Sequence, residues 1–153
     1  YGDRRRACSC SPQQIHQYQS RISGPLLDRI DIHIEVASLQ YRELAGRHTG
    51  EDSQTIRERI RKARTVQQRR FAGQANLLNA RMTDKQLKIH CKMDEDSRGL
   101  LEMAMDKLGL SARAYTRIMK VARTIADLEG AENICAPQVA EAIQYRTLDR
   151  RMN

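Results

Sequence analysis

Tryptophan is absent from this 153-residue chain, phenylalanine occurs once and tyrosine five times. Strands draw on aromatic and β-branched side chains, so this poverty argues against a sandwich or barrel core. No apolar run approaches the length of a membrane span and no signal peptide opens the chain, which reads as soluble and cytosolic, with no membrane partner. An initiator methionine is lacking too. The chain starts at Tyr1-Gly2-Asp3, as an excised piece of a longer protein would. None of the eight glycines is followed by lysine, so the phosphate-binding pattern G-x-x-x-x-G-K-[ST] is missing. Nor does a strand end in Asp-Glu to hold Mg²⁺, since Asp94-Glu95 follows Cys91-Lys92-Met93. By itself the chain should neither bind ATP tightly nor hydrolyse it, and no cofactor is expected for it alone. The four histidines, at 16, 33, 48 and 90, are scattered and form no nucleophile–base pairing.

Leu, Ile, Ala and Met supply most of the apolar positions, which suits helix packing. Ser11-Pro12-Gln13-Gln14 reads as a helix start, with Ser as N-cap, Pro at the first helical position and Gln closing a capping box. That helix is expected to run to about Ile22. After a turn over Leu26 to Arg29, Ile30-Asp31-Ile32-His33-Ile34-Glu35-Val36 alternates strictly and predicts a half-buried strand. Residues 38–52 read as a polar connection. Ser53 to Ala72 reads as a long helix, with Ile56, Ile60, Ala63 and Val66 along one face. Residues 73–82 read as a loop.

The last stretch predicts four short helices. Thr83-Asp84-Lys85-Gln86 is a second capping box, and its helix should reach Cys91. Asp94 caps the next, which ends before Gly109. Ser111 caps the third, which ends near Gly130. On it, Tyr115, Ile118, Met119, Ala122, Ile125 and Ala126 share one side, and Arg113, Arg117, Lys120 and Thr124 the other. Pro137 starts the fourth, which ends near Tyr145. Cys91 and Cys135 sit singly in these patterns, where a reduced, buried thiol is the default. Together the helices make an all-α bundle.

Two runs carry a resemblance. Ser20-Arg21-Ile22-Ser23-Gly24-Pro25-Leu26-Leu27-Asp28-Arg29-Ile30-Asp31 is similar to the end of the AAA+ core in the competence-associated, magnesium-chelatase-like ATPases, the ComM family. Leu110-Ser111-Ala112-Arg113-Ala114-Tyr115, continuing through Val121 to Leu128, resembles their helical lid, and Gln144-Tyr145-Arg146 fits as well. Chelatase subunits and replicative MCM helicases share weaker versions. The resemblance implies a mainly α fold. Residues 1–36 would be the truncated end of an α/β core, 37–82 a linker with a basic helix, and 83–150 a four-helix lid. It implies a parent protein that binds ATP and Mg²⁺ and assembles into a ring, hexameric in such families, that acts on DNA.

The resemblance also assigns roles. Arg29 matches the arginine finger that reaches a neighbouring subunit's nucleotide, a catalytic role suited to a planar, always-charged guanidinium. From spacing alone it reads instead as a surface arginine paired with Asp28 or Asp31. Arg113 matches the sensor-2 arginine, a nucleotide-binding role, in the first turn of a helix whose amides also favour phosphate. Arg117 and Lys120 read as a polar face, and Arg21 is a weaker candidate.

Lys and Arg exceed Asp and Glu by 27 to 19. Between Ser53 and Ala72 the basic residues at 57, 59, 61, 62, 64, 69 and 70 face one acid, Glu58. They run around the cylinder, as a solvated surface does, and leave non-specific, salt-sensitive contact with DNA phosphates open. Cys8-x-Cys10 is half of a metal site. Structural zinc takes four ligands, the resemblance puts a second such pair upstream, and no metal is expected here. A rival reading is a small helical DNA-binding module whose third helix enters a groove.

Overall fold

The computed structural model describes residues 7–36, 50–74 and 77–146. Among these residues the fold is helical: α1 (Pro12–Gln19), α2 (Gly24–Leu27), α3 (Ser53–Arg70), a 3₁₀ turn (Asn79–Arg81), α4 (Asp84–His90), α5 (Glu95–Leu108), α6 (Ala112–Glu129) and α7 (Ala136–Gln144). Most of the connection read over residues 38–52 lies outside the described residues.

The starts follow the capping chemistry. Ser11 and Thr83 each close a capping box, with Gln14 and Gln86 reaching back to the cap amides. Asp94 accepts from the amide of Ser97 at 2.9 Å, and Ser111 from that of Ala114 at 3.1 Å. Each such cap contributes on the order of 1 kcal/mol. Glycine ends helices α5 and α6: Gly109 (φ 59°) and Gly130 (φ 73°) take the left-handed conformation that stops a helix without a Cβ clash.

Helix α6 is the axis of the core. It packs against α7, α3, α4 and the 3₁₀ turn, while α5 packs against α7. Ile118, Ala122 and Ala126 of α6 are wholly buried, with Leu101 of α5 and Val139 and Ala142 of α7. Alanine on the α6 face lets neighbouring helices approach closely. Phe71, Met82, Leu87 and Cys91 extend the same core towards α3 and α4. A lone parallel bridge, Met93 to Ile134, ties the segment before α5 to the one before α7.

Several expectations are corrected. Helix α1 ends at Gln19 rather than near Ile22. Residues 30–36 form no strand; they run as irregular chain with a bend at Asp31. The expected half-burial is reversed: Ile30, Ile32, Ile34 and Val36, the apolar side, are exposed, and the inward residue is His33. What covers the inner face is the helical set: the His33 amide donates to the Tyr145 carbonyl at 2.7 Å, and Leu27 is buried. On α3 the expected apolar stripe is used at one position of four. Ala63 is buried, whereas Ile56, Ile60 and Val66 remain exposed. Tyr115 is exposed, and the polar pair Arg123 and Asp127 takes core positions instead. Cys135 is exposed at the N-cap of α7, while Cys91 is buried.

Candidate phosphate-binding cleft

A cleft of about 560 Å³ opens where the N-terminal arm meets the start of α6, and Asp28, Arg29, Ala112, Arg113, Thr116, Arg117 and Lys120 line it. Arg29 and Arg113, which lie far apart in sequence, thus share one cavity. Local structure explains how each arrives. Ser23 and Pro25 start the single-turn helix α2, and the chain leaves it at Asp28 with Arg29 on the exposed side. Ser111 ends the extended link after Gly109 and starts α6, so Arg113 falls in the first turn.

The electrostatics are one-sided. Arg29 pairs with neither Asp28 nor Asp31; its guanidinium donates to the Pro25 carbonyl at 2.7 Å, a contact that leaves the charge uncompensated. Asp31 is taken by Arg117 at 2.7 Å, across a half-exposed pair worth about 0.2–1 kcal/mol. Asp28 accepts the Ser111 hydroxyl at 2.8 Å and lies 3.7 Å from the Arg146 guanidinium. Lys120 donates to the Ala80 carbonyl at 3.0 Å. Burial, and then the nearby Arg117 charge, push its ammonium below the usual lysine range. Arg113 makes no ion pair with any described residue.

Helix polarity adds to this field. The first turn of α6 holds no acid, only Arg113, while Asp127 and Glu129 lie in its last turn. Both placements oppose the helix dipole, whose positive end favours anions. By contrast α5 follows the rule, with Glu95 and Asp96 in its first turn and Lys107 in its last. A cationic first turn beside three further cations, Arg29, Arg117 and Lys120, is stabilised by an anion entering the cleft.

The other candidates stand apart. Arg21 lies over the Tyr18 ring at 5.8 Å and does not line the cleft. Cys8 and Cys10 are exposed free thiols, with the Cys8 thiol pulled below its ordinary range chiefly by the Cys10 backbone amide. Among the described residues no three of His, Cys, Asp and Glu gather to hold a metal ion. On α3, Arg59 binds Glu51 through both nitrogens and Arg61 binds Glu58, so part of the basic surface is neutralised locally. The α6 face proposed for groove reading is occupied: Arg117 holds Asp31, Lys120 holds Ala80, and Thr124 accepts from Asn79 at 3.2 Å. No helix of the described residues is long and apolar enough to cross a membrane.

Sequence reasoning did not single out Asp28 or Arg146 as parts of this arrangement. Arg146 is almost wholly buried. Its only sequence signal is its place in the closing Gln144-Tyr145-Arg146.

The family model described as magnesium chelatase, subunit ChlI C-terminal, matches residues 50–146. The chain belongs to this magnesium-chelatase ChlI-type family. A second family model, magnesium chelatase subunit ChlI, matches residues 1–44, so the arm and Arg29 fall under one and Arg113 under the other. The chain is 45% identical over 141 residues to "Competence protein ComM" of Haemophilus influenzae, covering 92% of this chain and 27% of that protein. It is 39% identical over 143 residues to YifB of Salmonella typhimurium, again 92% of this chain and 27% of that protein. To Rv2897c of Mycobacterium tuberculosis it is 28% identical over 144 residues, 94% of this chain and 28% of that protein. The chain therefore spans about a quarter of the length of these relatives.

Proposed function

We propose that the chain works as the C-terminal part of a ChlI-type AAA+ ATPase and that its cleft receives the polyphosphate end of a nucleotide held by a neighbouring subunit. The observation that carries this reading is the shared cleft: Arg29 and Arg113 both line it, so both address one ligand. The lining is cationic and fits the phosphates, but it contains no aromatic ring to stack on a base. With no Gly-Lys pair in the chain, the rest of the nucleotide has to be gripped by another surface. A finger supplied across a subunit boundary meets both conditions.

Bound ATP with its Mg²⁺ would supply the transferable phosphoryl group. Arg29 then stabilises the charge that develops on that group, and Arg113, at the start of α6, orients it. Lys120 extends the cationic wall, and Thr116 adds a hydroxyl donor. The nucleotide's Mg²⁺ would be held by groups outside this cleft, whose single carboxylate, Asp28, is engaged by Ser111 and Arg146. A ring of identical subunits, hexameric by the family resemblance, repeats the interface. DNA is the proposed track of such a motor, with the exposed Arg57, Lys62 and Arg69 of α3 giving non-specific, salt-dependent contact. Its setting is the cytoplasm.

Subunit mixing tests the reading. Full-length subunits carrying Arg29→Ala are combined with subunits whose phosphate-binding lysine is removed. Each population is inactive alone, and mixed rings should regain turnover, because one partner supplies the finger and the other the nucleotide. Arg113→Ala should complement in the same way. Mixed rings that stay inactive would overturn the sharing of Arg29, and failure confined to Arg113 would return that arginine to its own subunit's nucleotide.

A further inference from the structure

We infer that Arg146 is a positioning residue: with Asp28 and Ser111 it forms a latch that fixes Arg29 against the start of α6, and so keeps the two cleft arginines on one ligand. The inference rests on the reading of the cleft given above and extends it to a residue that lies outside the cleft.

The geometry of the latch is closed. Arg146, just beyond α7, donates through Nη1 to the Ile30 carbonyl and lies 3.7 Å from an Asp28 oxygen. The other Asp28 oxygen accepts the Ser111 hydroxyl at 2.8 Å. That hydroxyl also accepts the Ala114 amide at 3.1 Å, so a single side chain caps α6 and holds the arm. Arg29 lies between the two anchored positions, Asp28 and Ile30. Its backbone is therefore clamped on both sides, while its own side chain makes only the local Pro25 contact.

Burial argues that the clamp is built for position. A side chain with 1% exposure has left water, and a buried guanidinium is retained at high desolvation cost. Packing alone does not call for an arginine at this place. A guanidinium does reach a carbonyl and a carboxylate at once from a planar fork, which lysine does not. Near the latch the His33 amide bonds to the Tyr145 carbonyl, so the arm is held at neighbouring points on the same chain end. Loss of the latch leaves Arg29 on an arm that pivots about His33. A displacement of about 1 Å is enough to spoil a catalytic geometry by roughly a hundredfold.

The test uses this chain with inorganic tripolyphosphate, read by chemical-shift titration, for Arg29→Ala, Arg146→Lys and the double variant. Amide exchange at Ala122 and Ile125 checks that each variant keeps its core. Arg29→Ala should weaken binding roughly tenfold, as loss of one charge-assisted hydrogen bond does. Arg146→Lys should weaken it by a similar factor and speed exchange at the His33 amide. The double variant should bind no worse than Arg29→Ala alone, since Arg146 acts only through Arg29. Factors that multiply in the double variant, or an unchanged His33 amide in Arg146→Lys, would overturn the latch and leave the cleft intact. An Arg29→Ala chain that binds like wild type would overturn the cleft reading and the latch together. Should Arg146→Lys fail to fold, Arg146→Gln, which keeps a donor for the Ile30 carbonyl and removes the charge facing Asp28 from outside the cleft, must give the same pattern. Additivity there has the same adverse meaning.

Discussion

Arg70, the last residue of α3, grips Asp127 of α6 through both carboxylate oxygens across 57 residues of sequence. Asp127 has no exposed side-chain surface, and it also accepts Arg123 at 3.1 Å and Asn79 at 2.7 Å. The second cation is not left over, because Arg123 donates to the carbonyls of Ala131 and Glu132, both at 2.7 Å, just past the end of α6. The basic helix is thereby fastened to the core by a polar joint.

Removing the carboxylate should be severe. Asp127→Ala leaves two guanidinium groups in a dry site without a counter-charge, which costs about 3–5 kcal/mol. Urea unfolding would register this as a large drop in midpoint. Asp127→Asn keeps the shape and loses the charge; an Asn variant that melts with wild type would mean that packing, rather than the ion pair, holds the joint.

That joint also marks where sequence legibility stops. Capping boxes and glycine stops are local, so Ser11, Thr83, Asp94, Ser111, Gly109 and Gly130 announced their helix ends within a few residues. Arg70, Asn79, Arg123 and Asp127 gave no such signal. Core positions were sought among apolar residues, and a buried network of charged ones runs against that pattern until its partners are known. The segment Ile30–Val36 failed differently. Its alternation predicts a half-buried strand with the isoleucines inward, yet His33 is buried and Ile30, Ile32, Ile34 and Val36 are exposed, because alternation says nothing of what covers a segment. A sheet was assumed where the Tyr145 end of α7 lies. At the cleft, Arg29 and Arg113 were legible through family resemblance, whereas Arg146 needed coordinates, since its partners Asp28 and Ile30 are more than a hundred residues away.

Alkaline stability should report on Cys91. Burial pushes its thiol up from 9.0 to about 11. The unfolded thiol ionises first, so the stability present below pH 9 is lost as pH rises from 9 towards 11. Melting temperature in reducing buffer should fall across that window more steeply for wild type than for Cys91→Ala. Parallel curves for the two proteins would remove Cys91 from the account.

Turnover should separate the chain from its proposed whole. The 153-residue chain should hydrolyse ATP at background rate, with or without DNA, for want of a Gly-Lys phosphate grip. In the full-length protein Arg29→Ala should lower kcat by roughly 10³–10⁵ with KM little changed, because a finger acts chiefly on the transition state. Equal losses in nucleotide affinity and kcat would recast Arg29 as a binding residue. Hydrolysis by the short chain that Arg29→Ala abolishes would reveal a complete nucleotide site within it.

Hydrogen exchange should grade the arm residue by residue. Slowest of all should be Ala122 and Ile125, in the buried helix around which the core is built, since only global opening frees their amides. His33 should come next. Its amide bonds to the Tyr145 carbonyl at 2.7 Å, and that bond breaks whenever the arm lifts, well short of global unfolding. Ile32 and Ile34 should exchange fastest, because their amides make no backbone bond to any described residue and their side chains are 44% and 70% exposed. Arg146→Lys should move His33 towards them and leave Ala122 where it was. Slow exchange at Ile32 and Ile34 has one physical source in such a segment: a strand paired along that edge. If it disappears on dilution, the partner strand belongs to a second copy of the chain. If it persists in the monomer, the arm carries an internal strand pairing, and the account of it as a segment docked on the helices is wrong.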